Sequence, residues 1–231
     1  YGGWALVAGA SEGLGAAFAR ALAARGHPLL LVARRQAELE ALAATLPVEV
    51  ATLAIDLGVP DLEERMRAFI GSREVGVLVC NAAFAPQGEL VGRPLGDALT
   101  AIDVNCRAPV TLTHVVLPGM VARKKGGIVL MSSLTAFQGS PYVAVYGATK
   151  AFNLSLAEAL WAEAAPHGVD VLASCAGATR TPGYLKSAIG KAPGELEPEQ
   201  VVEETLAALG RGPLVIPGAF NRFASFLMRR L

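Results

Sequence analysis

The stretch Trp4-Ala5-Leu6-Val7-Ala8-Gly9-Ala10-Ser11-Glu12-Gly13-Leu14-Gly15 decides the fold. An apolar run, Trp4 to Ala8, enters a glycine turn that opens onto an alanine-rich helical pattern from Leu14 to Arg25. Glycines at 9, 13 and 15 let the backbone turn tightly and approach a pyrophosphate. The N-terminus of the helix then turns unpaired N–H groups and positive partial charge toward that anion. The spacing is G-x-x-x-G-x-G rather than the G-x-G-x-x-G of the common dinucleotide fingerprint. Its place between a first strand and a first helix is what favours phosphate binding over a plain glycine-rich turn.

Outward from this stretch, short apolar runs alternate with longer helical patterns. Leu29 to Ala33, Val48 to Ile55, Val75 to Cys80, Ile128 to Met131, Val169 to Ser174 and Leu214 to Ile216 read as further strands. They are nearly continuous in Val, Leu, Ile and Ala, as strands covered on both faces require. Between them lie helical patterns at Gln36 to Leu46, Leu62 to Ile70, Gly96 to Arg123, Ala144 to Ala165 and Pro198 to Leu209. Pro109 and Pro118 predict local irregularities in the long fourth pattern. Strand and helix alternating throughout predict a doubly wound α/β parallel sheet. There is no internal repeat or linker, so residues 1–231 read as one domain.

Composition narrows the function. The 231 residues are 53% hydrophobic and 17% charged, which excludes a disordered chain. Twenty Lys+Arg balance twenty Asp+Glu, without the basic excess that nucleic-acid binding uses. No apolar run approaches the roughly 20 residues of a transmembrane helix. No secretory signal is visible, and the abrupt ends at Tyr1 and Leu231 suggest that residues are missing on either side. Cys80, Cys106 and Cys175 are widely spaced, with no metal-ligand pattern, and read as reduced thiols in a cytoplasmic protein.

The second strand ends at Ala33 and is followed by Arg34-Arg35. NAD-binding folds usually carry an acid here for the ribose 2′-OH; two guanidinium groups suit a 2′-phosphate instead. This favours NADP(H), with Arg34 the stronger candidate, against a reading of both arginines as solvated charge. Tyr146 and Lys150 are four apart at the start of a helix and share a face. An ammonium beside a phenol favours the phenolate, so the pair could move a proton at a carbonyl or alcohol oxygen. Ser133 follows a strand thirteen residues before Tyr146, and Asn81 follows the fourth strand; Asn105 lies inside the long helical pattern, where the alternative is a capping or packing role at a bend. Strand ends of this kind are where open α/β sheets bind ligands.

Together these elements resemble the short-chain dehydrogenase/reductase family over essentially the whole chain. The family's T-G-x-x-x-G-x-G appears as Ala8 to Gly15, its N-A-G as Asn81-Ala82-Ala83, and its Y-x-x-x-K as Tyr146 to Lys150. Its serine matches Ser133, its helix asparagine matches Asn105, and P-G-x-x-x-T appears as Ala176 to Thr181. Ala8, Ala83 and Ala176 are modest departures. The resemblance implies a Rossmann-like sheet of about seven strands and an NADP(H)-dependent oxidoreductase acting on a carbonyl or secondary alcohol. Asn105, Ser133, Tyr146 and Lys150 would be catalytic, Ser133 at the substrate oxygen and Asn105 holding a water that links Lys150 to solvent. Gly9, Ser11, Glu12, Gly13, Leu14 and Gly15 would line the phosphates and adenosine, with Arg34 and Arg35 at the 2′-phosphate. Asp56 and Leu57 would bracket the adenine, Asn81, Ala82 and Ala83 the ribose region, and Gly177, Thr179 and Thr181 the nicotinamide end. Glu12 is unexpected, because NADP-binding relatives often carry a basic residue there.

Phe84 to Gln87, Leu134 to Tyr142 and the loop from Gly183 should form the substrate pocket, offering Phe84, Leu134, Phe137, Tyr142, Tyr184 and Leu185 to a hydrophobic body. Residues 183–197 are read as a possible lid, with Gly183, Gly190 and Gly194 permitting movement and Tyr184, Leu185 and Ile189 supplying apolar groups. The segment Phe220 to Leu231 should pack on the lid or a neighbour rather than lie on a membrane surface. Family analogy also implies a homodimer or homotetramer through the helices at 96–123 and 144–165. The alternative is a non-catalytic NADP-binding or scaffold protein of the same fold. An extended epimerase or dehydratase is disfavoured by how little chain follows the last strand.

Overall fold

The computed structural model describes residues 1–186 and 190–228, without the side chain of Met228. Seven parallel strands form one sheet in the order β3-β2-β1-β4-β5-β6-β7. They are β1 (Trp4–Ala8), β2 (Leu29–Ala33), β3 (Val50–Ala54), β4 (Val75–Cys80), β5 (Gly126–Ser133), β6 (Val169–Ala176) and β7 (Leu214–Val215). The continuous apolar runs are explained by two cores, because successive side chains point to opposite faces. Leu6, Leu30, Leu78 and Ile128 face one core with Met66, Leu112 and Met120. Ala5, Leu29, Val77 and Val129 face the other with Phe18, Leu39 and Val201.

The first core is covered by α3 (Leu62–Ile70), α5 (Ala108–Arg123) and α6 (Ala144–Ala164), the second by α1 (Gly13–Ala24), α2 (Gln36–Ala43) and α8 (Pro198–Ala208). Strand order reverses between β1 and β4, so the crevice for a ligand opens at the carboxyl ends of these strands.

The predicted single helix at 96–123 is two helices. After α4 (Leu95–Ile102), Asp103–Arg107 forms a π-helical turn before α5 begins. Sequence points to the cause. Pro109 has no N–H, so the Asn105 carbonyl four residues earlier lacks its ordinary α-helical donor. Pro109 itself sits in the first turn of α5, where the missing donor costs little. Pro118, also expected to disturb the helix, lies inside α5. Strand β3 is shorter than its run, and β5 and β6 are longer, so Ser133 and Ala176 are the last residues of their strands.

Candidate active site

A cleft of about 690 Å³ opens at the strand ends. Every cofactor and catalytic residue proposed from sequence lines it except Gly15 and Asn105. Arg34, Arg35, Asp56 and Leu57, after β2 and β3, lie on one side of the glycine turn; Ser133, Tyr146 and Lys150, on β5 and α6, lie on the other, and Thr181 adjoins the turn itself at Gly13.

The glycine turn is built for close approach. Gly9 has φ +85°, and a Cβ there would lie 2.5 Å from the Ala82 nitrogen. Gly15 works from behind: its Cβ would overlap the Gly9 carbonyl, so only glycine lets α1 rest against the turn. Asn81 Nδ2 donates to the Gly9 carbonyl at 2.9 Å, tying β4 to the same turn. Asn81 therefore sets the shape of the cradle as well as lining it.

At the other end, the Tyr146 hydroxyl is hydrogen-bonded to Ser133. Ser133 Oγ also accepts from Thr135 N at 3.2 Å, which caps the single turn following β5. Lys150 is buried; its Nζ donates to the Met131 carbonyl at 2.9 Å and lies 5.5 Å from the centre of the Tyr146 ring. Ser132 Oγ donates to the Lys150 carbonyl at 2.7 Å, pinning α6 to the end of β5.

Asn105 is fully buried, and its amide is spent on its neighbours. Oδ1 accepts from Phe84 N at 2.8 Å; Nδ2 donates to the Phe84 carbonyl at 2.8 Å and to Thr149 Oγ1 at 3.0 Å. Thr149 Oγ1 in turn donates to the Tyr146 carbonyl at 2.7 Å. Thr149 went unnoticed in the sequence, although its place directly before Lys150 is a usable signal. Asn105 thus fixes the cleft wall at Phe84 against the helix that carries Tyr146.

The expected substrate segments contribute unequally. Phe84 and Tyr184 line the cleft, whereas Leu134, Phe137, Tyr142 and Leu185 do not. Phe137 packs against the core, and Leu185 is exposed. Tyr142 is also exposed, in a left-handed backbone conformation at φ +66°. Its carbonyl accepts from Gly88 N at 2.8 Å, and it lines a separate small depression with Pro86 and Leu90.

The lid segment begins with the short helix α7 (Pro182–Leu185), capped by Thr181 Oγ1, which accepts from Tyr184 N at 3.2 Å. Ile189 lies outside the described residues. At the far end Thr179 and Leu196 form a parallel bridge, and Arg180 pairs with the buried Glu195 carboxylate at 2.9 Å. Helix α9 (Ala219–Met228) supports this end, Asn221 Nδ2 donating to the Gly194 carbonyl at 3.1 Å. Asn221 and Ser225 face inward, while Phe220, Phe223 and Leu227 are exposed. The predicted packing of this segment on the lid is made by Asn221 together with the Phe220 ring, which lies against Gly194; Arg229 to Leu231 lie outside the described residues.

Residues 3–188 match the sequence profile of the short chain dehydrogenase family. The chain belongs to this family. Among its short-chain dehydrogenase relatives is a very-long-chain 3-oxoacyl-CoA reductase of Pyrenophora tritici-repentis, 34% identical over 223 residues. That match covers 91% of this chain but only 64% of the fungal protein. A 7beta-hydroxysteroid dehydrogenase of Collinsella aerofaciens is 32% identical, covering 96% of this chain and 88% of its own. A short-chain dehydrogenase from Sphingobium yanoikuyae, solved in complex with NADPH, superposes with a TM-score of 0.87 at 33% identity, over 98% of this chain and 92% of that one.

In this short-chain dehydrogenase, burial dominates the titration of both members of the Tyr-Lys pair. It pushes the Tyr146 phenol up, opposed by the hydrogen bond from Ser133. The same burial pulls the Lys150 ammonium down to about 8, while the three cysteines pull it back up.

The Lys150 shift predicts a stability signature. The native ammonium deprotonates near pH 8 and the unfolded one near its ordinary 10.5. Between those values the unfolded chain holds more protons, so stability rises with pH. The penalty is full below pH 8 and amounts to roughly 3 kcal/mol, at about 1.4 kcal/mol per unit. In Lys150→Met this rise is absent. Urea unfolding of both proteins from pH 7 to pH 10 should show their stability difference moving by about 2–3 kcal/mol in favour of the unmodified protein. A pH-independent difference would show that Lys150 is not held as a desolvated ammonium.

Proposed function

We propose that residues 1–231 act as a single NADP(H)-dependent oxidoreductase domain that interconverts a carbonyl and a secondary alcohol on a hydrophobic substrate. The observation that carries this reading is the Tyr146 hydroxyl, hydrogen-bonded to Ser133 in the cleft, with buried Lys150 against its ring. The residues at the other end fit a dinucleotide phosphate: a backbone cradle that a Cβ at Gly9 would fill, and an Arg34 with no ion pair among the described residues. When bound, the nicotinamide supplies or accepts the hydride.

The chain's own residues handle the proton and the geometry. Ser133 Oγ hydrogen-bonds the substrate oxygen and stabilises the charge that develops there. Tyr146 Oη gives its proton to that oxygen in reduction and takes it back in oxidation. Its raised pKa keeps the phenol protonated at neutral pH, ready to donate in reduction. Lys150 would hold the ribose of the bound cofactor and return a proton to Tyr146. The amide of Asn105 is occupied, so the water that links Lys150 to solvent falls to its backbone carbonyl, which Pro109 leaves without an α-helical donor. Phe84 and Tyr184 give the cleft apolar walls for the body of the substrate.

Exposed Val110, Phe152 and Trp161 on α5 and α6 suit a homo-oligomer contact. Cys80, Cys106 and Cys175 are in no disulfide, which suits a reducing cytoplasm. Among the described residues no helix is long and apolar enough to cross a membrane. The test is a screen of ketones, aldehydes and secondary alcohols with fatty, steroid-like and aromatic bodies, following NADPH absorbance. Tight NADPH binding with no turnover across the panel would favour a non-catalytic NADP-binding protein instead.

The loop at 183–194 is expected to close over the substrate end. Its far end is fixed to α9 at Gly194, so movement concentrates near α7. Hydrogen exchange with and without NADPH plus substrate should show protection rising across this loop. Unchanged protection there, with increases elsewhere around the cleft, would identify a static wall.

A further inference from the structure

The carbonyl of Met131 draws two buried side chains together. Pairing of β5 with β4 ends at Leu130, and just past β4 the Ala82 N–H goes to the Ala8 carbonyl. The Met131 carbonyl is met instead by α6. Lys150 Nζ donates to it at 2.9 Å, while Asn153 Nδ2 reaches it only at 3.5 Å. Both side chains belong to residues that are almost fully buried. The other end of the Asn153 amide, Oδ1, has no hydrogen-bond partner among the described residues. Burying an amide is costly unless its polar atoms are bonded. One stretched bond and one orphaned oxygen do not account for an asparagine at this position.

The demand on Lys150 accounts for it. An ammonium has three donors. When the cofactor is bound, the two ribose hydroxyls and the water that links Lys150 to solvent call on all three. The Met131 carbonyl then loses its lysine, and a buried carbonyl without a donor bears the full penalty of its desolvation. Asn153 Nδ2 needs to close by only about half an ångström to reach the usual N–H···O length of about 2.9–3.0 Å. The other groups around Lys150 are Tyr146 on its own helix, Cys80 on β4, Cys106 in the π-turn and Cys175 on β6. Thiols are weak donors and cannot replace an amide N–H.

We propose that Asn153 is a positioning residue for Lys150, taking over the Met131 carbonyl when Lys150 turns its donors to the cofactor. This rests on the NADP(H) reading above, with Lys150 at the ribose of the nicotinamide. Asn153 does not line the cleft, so it acts only through the lysine. A leucine of similar size fills the same space but cannot make the exchange.

The test is titration calorimetry on the full chain with NADPH and with 2′,5′-ADP, which carries adenosine and phosphates but no nicotinamide ribose. In Asn153→Leu, NADPH should bind about tenfold more weakly, equivalent to about 1.4 kcal/mol. The affinity for 2′,5′-ADP should not change, because that ligand makes no demand on Lys150. Asn153→Ala, which cannot overfill the site, should give the same pattern. In Lys150→Met there is no lysine to release, so adding Asn153→Leu should alter NADPH affinity by less than about twofold. Unchanged NADPH binding in Asn153→Leu and Asn153→Ala overturns the proposal. So does an equal loss for 2′,5′-ADP, or a full tenfold loss in the Lys150→Met background, since either is what a merely structural asparagine produces. Lys150→Met protein that binds NADPH at full strength would instead remove Lys150 from the ribose, and with it the reading on which the proposal rests.

Discussion

Replacing Tyr146 with Phe is expected to lower kcat by about 10³-fold, within the 10²- to 10⁴-fold range of a positioned general acid or base. The ring is retained, so the wall of the cleft and its contact with Lys150 survive, and only the proton that Ser133 holds in line is lost. NADPH should bind with nearly unchanged affinity. Single-turnover oxidation of bound NADPH by a substrate from the screen isolates the chemical step. In the unmodified protein, reduction should be flat through neutral pH and fall only as pH rises through the raised Tyr146 pKa, because the phenol must be protonated to donate. A variant that keeps more than about a tenth of the rate would remove Tyr146 from the proton path.

Arg34→Asp should have the next largest effect, on cofactor choice. Arg34 lines the cleft beside Arg35 and, among the described residues, pairs with no carboxylate. Its loss forfeits a charge-assisted bond to the 2′-phosphate, typically about 1.5–3 kcal/mol, and the new carboxylate repels the same group. NADPH affinity should fall at least about 100-fold, a loss of at least about 2.7 kcal/mol. NADH affinity should improve, because an acid at this position can accept from a ribose 2′-OH. Fluorescence titration with each cofactor reads both changes. Equal affinities for the two cofactors in the unmodified protein would end the argument before the variant is made.

Much of this arrangement was legible in the sequence because its cause is local. Nearly continuous apolar runs specify strands buried on both faces, and Gly9, Gly13 and Gly15 mark a turn that admits little else. The four-residue step from Tyr146 to Lys150 fixes their common face. What sequence hid depends on partners distant along the chain. Pro109 predicts an irregularity near the π-turn at Asp103–Arg107, but the engagement of the Asn105 amide with Phe84 and Thr149 exists only after folding. Glu12 looked anomalous until Arg35 appeared beside it. Tyr142 and Phe137 looked like pocket residues because they are aromatic and close in sequence to Tyr146; the loop turns them elsewhere.

The two ends of the glycine turn face different evolutionary freedoms. Its floor is backbone against backbone, Gly15 on Gly9 and Gly9 on Ala82, where any added side chain collides with the main chain. Its rim, at Glu12 and Arg35, is made of long, half-exposed side chains whose replacement leaves the main chain undisturbed. Mutations can therefore accumulate at the rim without threatening the machinery at the floor. Among descendants of such a protein, allegiance to one cofactor or the other is the trait that would drift, while the ability to hold a dinucleotide stays frozen.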